Sequence, residues 1–360
     1  MDSIMPLLSV LQQPAFFLHQ DGTVASNPSA GPLSPCDRGD LPRWLGDSLT
    51  IYEQWDRQTA LTLSVPLGGQ SHSVTVQAMD DGDLFLLSCD GMAVPASGFL
   101  GVSSQILRES LSDLLASTQT LLGTMDDLEN SVYQAQAASM TRNLFRLTRL
   151  AGNLSDYERL EAGELRPALS LLSLSGDIGP VLEDLAALVS DTGSSMTVRL
   201  PREQVQIYAD LNLLERAFLN LLSNALKHGR KQQELVLQAD VLPNAILFRL
   251  QNQCDPGDQD LLSAAFQRTT QRGLLPDPRW GLGLGLPLVR EIARLHGGTV
   301  ALEAKQDGTV IVTLSVSRKR PAKNEGLASS LPMDSTGGLD RRLIELSEVL
   351  PASVFDMQLL

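Results

Sequence analysis

The stretch Leu213–Gly229, LLERAFLNLLSNALKHG, limits the fold and chemistry of this chain more than any other. Leu214, Phe218, Leu221, Leu222 and Ala225 recur at helical spacing and make one apolar stripe. Asn220 and Asn224 stand four residues apart, so a helix points both the same way, one turn above the other, with Lys227 following on that flank. Carboxamides buried beside an apolar stripe cost free energy unless a polar group receives them. A metal-bound polyphosphate would do so, since amide oxygens are hard ligands for Mg2+ and an ammonium neutralises phosphate. The helix alone reads equally well as an ordinary amphipathic one with two satisfied asparagines.

About sixty residues on, Trp280–Val289 reads WGLGLGLPLV. Gly281, Gly283 and Gly285 alternate with leucines, Leu284 among them, ahead of a helix-like run, VREIARLHGG. Glycines at this density let backbone N–H groups approach phosphates, and the helix start that follows favours anions. Alternating Gly-Leu is a weak signal singly, because packing loops use it too; joined to the asparagine helix it is a strong one. The pair resembles the N box and G2 box of the ATPase domain of sensor histidine kinases, part of the GHKL class that includes gyrase and Hsp90-type ATPases. The resemblance runs from about Phe99 to Ser317. It implies a two-layer α/β sandwich that binds ATP with Mg2+. Asn224 would hold the metal, and Asn220, Lys227, His228, Gly281, Gly283, Leu284 and Gly285 would line the nucleotide. His228 stands where the family usually has an aromatic, and reads as packing rather than catalytic. His296, in LHGG, matches the family's turn at the close of the G2 helix.

Two departures from the family stand out. Its G1 box ends a strand with an Asp that accepts from the adenine amino group, fourteen residues before a phenylalanine. Counting back from Phe266 reaches Asn252, with Cys254 in the place of the first glycine. Asp255-Pro256-Gly257 offers another D-x-G register, three residues too close to Phe266 and past the strand, so Asn252 is preferred. A neutral acceptor makes a weaker bond than a carboxylate, which implies weakened nucleotide affinity. Between the boxes, residues 258–279 would form the lid over the nucleotide, with Arg268, Arg272 and Arg279 able to reach phosphates; solvated loop arginines explain each of them singly just as well.

The second departure is larger. From Leu107 to Val132, apolar residues step by fours and threes, a heptad seam. After Gln134–Ser139, read as the joint, a second seam runs Met140, Leu144, Leu147, Ala151, Leu154. Such a hairpin is best buried by a second copy, and it resembles the dimerisation and phosphoacceptor hairpin of the kinases. The family's H box carries a histidine followed by an acid. Aligned on Leu107-Arg108 and Leu111, those positions hold Gln105 and Ile106 here. Autophosphorylation needs an imidazole nitrogen helped by the neighbouring carboxylate, and a carboxamide is no substitute. The four histidines, His19, His72, His228 and His296, all lie elsewhere. Neither Ser103 nor Ser104 has a base beside it. Conventional autophosphorylation is therefore not expected, and by family the chain is an ATP-dependent phosphotransferase without its acceptor.

The expected organisation is α+β and multidomain. Residues 1–95, with a helix, a hairpin at 20–23, a loop and three strands, resemble a PAS-type sensor. Residues 99–163 form the helical hairpin of a dimeric four-helix bundle, and 164–318 the ATPase domain. Residues 319–360 form a Pro/Ser/Gly-rich linker and a short amphipathic helix carrying Leu343, Leu346 and Leu350. A net charge of −14 argues against nucleic-acid binding, and no apolar run reaches the ~18–20 residues of a membrane span. Scattered Cys36, Cys89 and Cys254 indicate neither a disulfide framework nor a zinc site. The expectation is a cytoplasmic homodimer of two-component type that works with a partner kinase or response regulator. Either it gates that partner by binding ATP, or it phosphorylates a residue on the partner in trans.

Overall fold

A computed structural model of the chain describes residues 4–11, 13–31, 33–67, 70–87, 131–161, 165–255, 285–305, 307–319 and 339–355. The first seam up to Leu128, with Gln105 and Ile106, lies outside the described residues, as do Arg268, Arg272, Arg279, Gly281, Gly283 and Leu284.

Alternating apolar residues build the N-terminal sheet. After α1 (Met5–Val10), β1 (Ala15–His19) and β2 (Val24–Ser26) form a hairpin. Two short helices, α2 (Leu41–Leu45) and α3 (Leu49–Gln54), precede β3 (Leu61–Leu67), β4 (Gln70–Met79) and β5 (Gly82–Leu87). The strands lie in the order β2-β1-β5-β4-β3, all antiparallel. Sequence patterning assigned nothing to α2 and α3, whose runs are too short for a helical period. Their Trp44 and Tyr52 fill the interior with Phe16 and Phe85, the two phenylalanine rings stacked at 4.5 Å and Trp44 edge-on to Phe16 at 5.0 Å. A tight turn joins β4 to β5. Gly82 has φ +156°, and a Cβ there would lie 2.1 Å from the Leu18 carbonyl oxygen, so only glycine fits.

In the second half, β7 (Ser195–Arg199), β9 (Glu234–Val241), β10 (Ala245–Gln253), β11 (Val300–Ala304) and β12 (Thr309–Ser317) make a mixed sheet, parallel only at β7–β9. A two-stranded piece, β6 (Ser170–Ser173) with β8 (Gln206–Ala209), lies beside it. Three helices, α5 (Gly179–Ser190), α6 (Leu211–His228) and α7 (Gly285–Leu295), share one apolar core with this sheet. The stripe read from the sequence is its centre: Leu214, Phe218, Leu221, Leu222 and Ala225 are all buried, and Phe218 meets Phe248 edge-on at 5.1 Å.

The two sheets are one. β3 pairs antiparallel with β11, Leu63 opposite Ala301 and Leu61 opposite Glu303, giving ten strands in the order β2-β1-β5-β4-β3-β11-β12-β10-β9-β7. The hydroxyls of Ser48 and Thr299 both donate to the Ser64 carbonyl, at 2.6 and 3.1 Å. Leu247 and Ala301 turn away from the ATPase-side core into that of the N-terminal sheet.

The helix α4 (Ser131–Glu161) corrects one expectation. It runs unbroken through 134–139, so no joint lies there. The segment QAQAAS is made of glutamine, alanine and one serine, none of which stops a helix. Its apolar face is also divided. Leu144 and Ala151 are buried with Phe145, whereas Met140 and Leu147 stay 53% and 45% exposed. What covers the buried side is the C-terminal segment: α8 (Arg341–Leu346), capped by the Asp340 carboxylate on the Arg342 amide, and a 3-10 turn, Ala352–Phe355. Phe355 packs on Phe145 at 5.1 Å. Among the described residues no helix is long and apolar enough to cross a membrane.

Candidate functional site

Helix α6 is pinned at its start by Asp210. One carboxylate oxygen accepts from the Leu213 amide at 3.1 Å and the other from the Ala168 amide at 2.8 Å. The Asp210 amide in turn donates to Nε2 of His296 at 3.0 Å, and Nδ1 of His296 lies 2.6 Å from the Ile292 carbonyl. Nε2 accepts, so Nδ1 carries the proton and donates; the ring is neutral. Burial lowers its pKa, outweighing the Ile292 carbonyl, which favours the charged form. His296 thus ties the start of α6 to the end of α7, a connection the expected helix-end role did not include.

Along α6 the two motifs meet. Asn220 is 1% exposed; its Nδ2 donates to the Arg216 carbonyl at 3.0 Å, while Oδ1 has no hydrogen-bond partner among the described residues. Gly285, the first residue of α7, faces that oxygen so closely that a Cβ would lie 2.7 Å from it. Asn224, one turn on, is half-buried. Lys227 Nζ binds Glu348 Oε2 at 2.8 Å. His228 is half-buried, and burial followed by the Lys227 charge lowers its pKa to about 4, so it is neutral at pH 7. A buried carboxamide oxygen with no partner among the described residues, a second carboxamide and an ammonium on one helix flank fit a cation with its phosphates.

Asn252 sits apart on β10, opposite Val310 and 3% exposed, with Nδ2 donating to Cys254 Sγ at 3.2 Å. No hydrogen bond joins it to α6 among the described residues. Asp255 lies outside this interior, its side chain 70% exposed and paired with Arg230 at 3.0 Å.

Sequence reasoning missed an ionic cluster beside Lys227. Arg149 of α4 binds Glu345 at 3.0 Å and Glu348 at 3.3 Å, and Arg146 donates to the carbonyls of Ser347 and Glu348 at 3.2 and 3.1 Å. Arg216 pairs with Asp156 and approaches Glu345 at 3.8 Å. Burial pulls the Glu348 carboxyl up, but the charge of Arg149, the hydrogen bond and charge of Lys227 and the charge of Arg146 together hold it below the usual carboxylate range. Only the apolar positions of the C-terminal segment carried a pattern; its two glutamates, three residues apart, carried none.

Helices α5, α6 and α7 on a mixed sheet, with the asparagine helix against the glycine that opens α7, make the α/β sandwich of the GHKL ATPase class. Residues 209–320 match the family model of histidine kinase-, DNA gyrase B-, and HSP90-like ATPases. Over a longer stretch the chain is similar to sensor histidine kinases. It is 29% identical over 216 residues to the sensor protein KdpD of Escherichia coli K12, covering 59% of this chain and 23% of that protein. To the sensor histidine kinase CusS of the same strain it is 27% identical over 230 residues, covering 61% and 45%. It thus spans less than half the length of these relatives. Among solved structures, full-length ShkA in complex with AMPPNP is similar at a TM-score of 0.49 and 18% identity, over 62% of this chain and 46% of that one.

Proposed function

We propose that this chain is an ATP-binding signalling protein of two-component type that does not phosphorylate itself. The observation that carries the nucleotide reading is the buried Oδ1 of Asn220, which faces Gly285 and has no partner among the described residues. Asn224 would hold Mg2+, with Asn220 and Lys227 toward the phosphates and Asn252 toward the adenine amino group; bound ATP supplies a transferable phosphoryl group. The buried position of Asn252 and the outward one of Asp255 support that choice of adenine acceptor. Gln105 and Ile106 leave the family's acceptor position without nucleophile or base. The strand order β2-β1-β5-β4-β3, with helices between β2 and β3, supports a PAS-like N-terminal domain packed by its own aromatic rings. Exposed Met140 and Leu147, seven residues apart on α4, support a second copy of the hairpin as their cover.

The experiment has two arms. Calorimetric titration of Mg-ATP should show binding that Asn224→Ala abolishes; unchanged affinity would remove Asn224 from the site. Protein given γ-labelled ATP should carry no acid-labile phosphate, and Gln105→His with Ile106→Glu should restore it. Label on the wild-type chain would overturn the reading. Label transferred to an added partner would favour phosphorylation in trans.

A further inference from the structure

The ammonium assigned to the nucleotide's phosphates is held by the chain's own C-terminal segment. Glu348 places a carboxylate oxygen 2.8 Å from Lys227 Nζ, and the same oxygen lies 3.3 Å from Arg149 of α4. A carboxylate and a phosphate oxygen offer a lysine the same kind of acceptor, and two anions brought to one ammonium repel each other. The segment is anchored on two bodies at once. On the α4 side, Arg146 donates to the Ser347 and Glu348 carbonyls and Phe145 packs on Phe355. On the ATPase side, Arg342 binds Glu215 of α6 at 2.6 Å and Asp184 of α5 at 2.9 Å.

We propose that residues 339–355 form an internal strap that competes with nucleotide for Lys227 through Glu348 and, while seated, ties α4 to the ATPase sandwich. Nucleotide phosphate then displaces Glu348 from Lys227, and the loss of that contact loosens the segment's hold on α6 and so the tie between the sandwich and α4. Binding becomes a mechanical event at the hairpin without any phosphoryl transfer. The inference rests on the nucleotide reading above. A binding-competent state that is only partly populated raises the apparent Kd in proportion, so weakening the strap tightens binding.

The test uses the full chain and Mg-ATP as the probe. Glu348→Gln keeps the shape and removes the charge, and should tighten binding about tenfold, the size of one charge-assisted contact at a half-buried site. Arg342→Gln, at the other end of the strap, should tighten binding about threefold through the same release. Saturating Mg-ATP should raise amide exchange across residues 341–350 of the wild-type chain. Equal affinity in wild type and Glu348→Gln, or nucleotide bound with exchange of the segment unchanged, overturns the strap and leaves the nucleotide site standing. Tightening by Glu348→Gln but not Arg342→Gln also overturns it, in favour of simple charge repulsion. Failure of the wild type and both variants to bind, each shown folded by its thermal unfolding, would sink the nucleotide reading and the strap with it.

Discussion

The amide of Asp210 donates to Nε2 of His296 at 3.0 Å, so the residue that caps one helix is held by the residue that ends another. His296→Ala leaves that buried amide without an acceptor and opens space beside it, a loss of about 2–3 kcal/mol. Urea unfolding should show a lower midpoint at an unchanged m-value. Mg-ATP affinity of the folded protein should stay within twofold, because the ring is remote from Lys227 in role; a large affinity loss would make His296 part of the binding site.

His228 gives a pH signature. Unfolded, it takes up a proton near pH 6.5, but in the native chain only near pH 4, because burial and then Lys227 disfavour the charge. The unfolded state therefore binds more protons between those values. The stabilising contribution is complete above pH 6.5 and is lost as pH falls toward 4, by at most about 3 kcal/mol. In His228→Phe this part of the slope disappears. Unfolding free energies at pH 7.5, 6 and 5 for both proteins would show it, and parallel curves would contradict it.

Gly285→Ala probes the meeting of the two motifs. The added Cβ would stand 2.7 Å from Asn220 Oδ1, so the carboxamide must turn away. Mg-ATP binding should weaken about tenfold, equivalent to ~1.4 kcal/mol. Crowding a buried carboxamide costs about 1–3 kcal/mol, so the thermal midpoint should fall too, and affinity is read on protein shown folded. Undiminished affinity would show that Asn220 does not face the ligand.

The adenine side is tested by a pair of substitutions. Asn252→Asp should tighten adenine nucleotide, since a charged acceptor roughly doubles the strength of a hydrogen bond. Asp255→Ala, at the surface on Arg230, should change nothing. The reverse pattern in a titration would place the acceptor three residues on.

Much of the ATPase half was legible because its signals are local. The stripe from Leu214 to Ala225 repeats every turn, and Asn220, Asn224 and Lys227 follow the same period along one flank. The joint misplaced at 134–139 fell where helix-compatible residues merely interrupt an apolar pattern. Neither the pairing of β3 with β11 nor the contact of Lys227 with Glu348 leaves any trace in sequence, because partners 121 or more residues apart share no period. Asn220 was legible as a polar residue on a buried face, but only the fold brings Gly285 to its oxygen.

Ten strands in one ladder leave the N-terminal half and the ATPase half without a hinge. Neighbouring strands in a sheet are rotated by roughly 20–25°, so twist added anywhere is passed along as torsion. The sheet behaves as a torsion bar: rotation of β5 or β4 is felt at β11 and, two strands further, at β10, where Asn252 sits. Amides of Thr62 and Leu302, in the middle of the join, should therefore exchange as slowly as those of the ATPase core. Fast exchange there would mean that the bar is cut at that point.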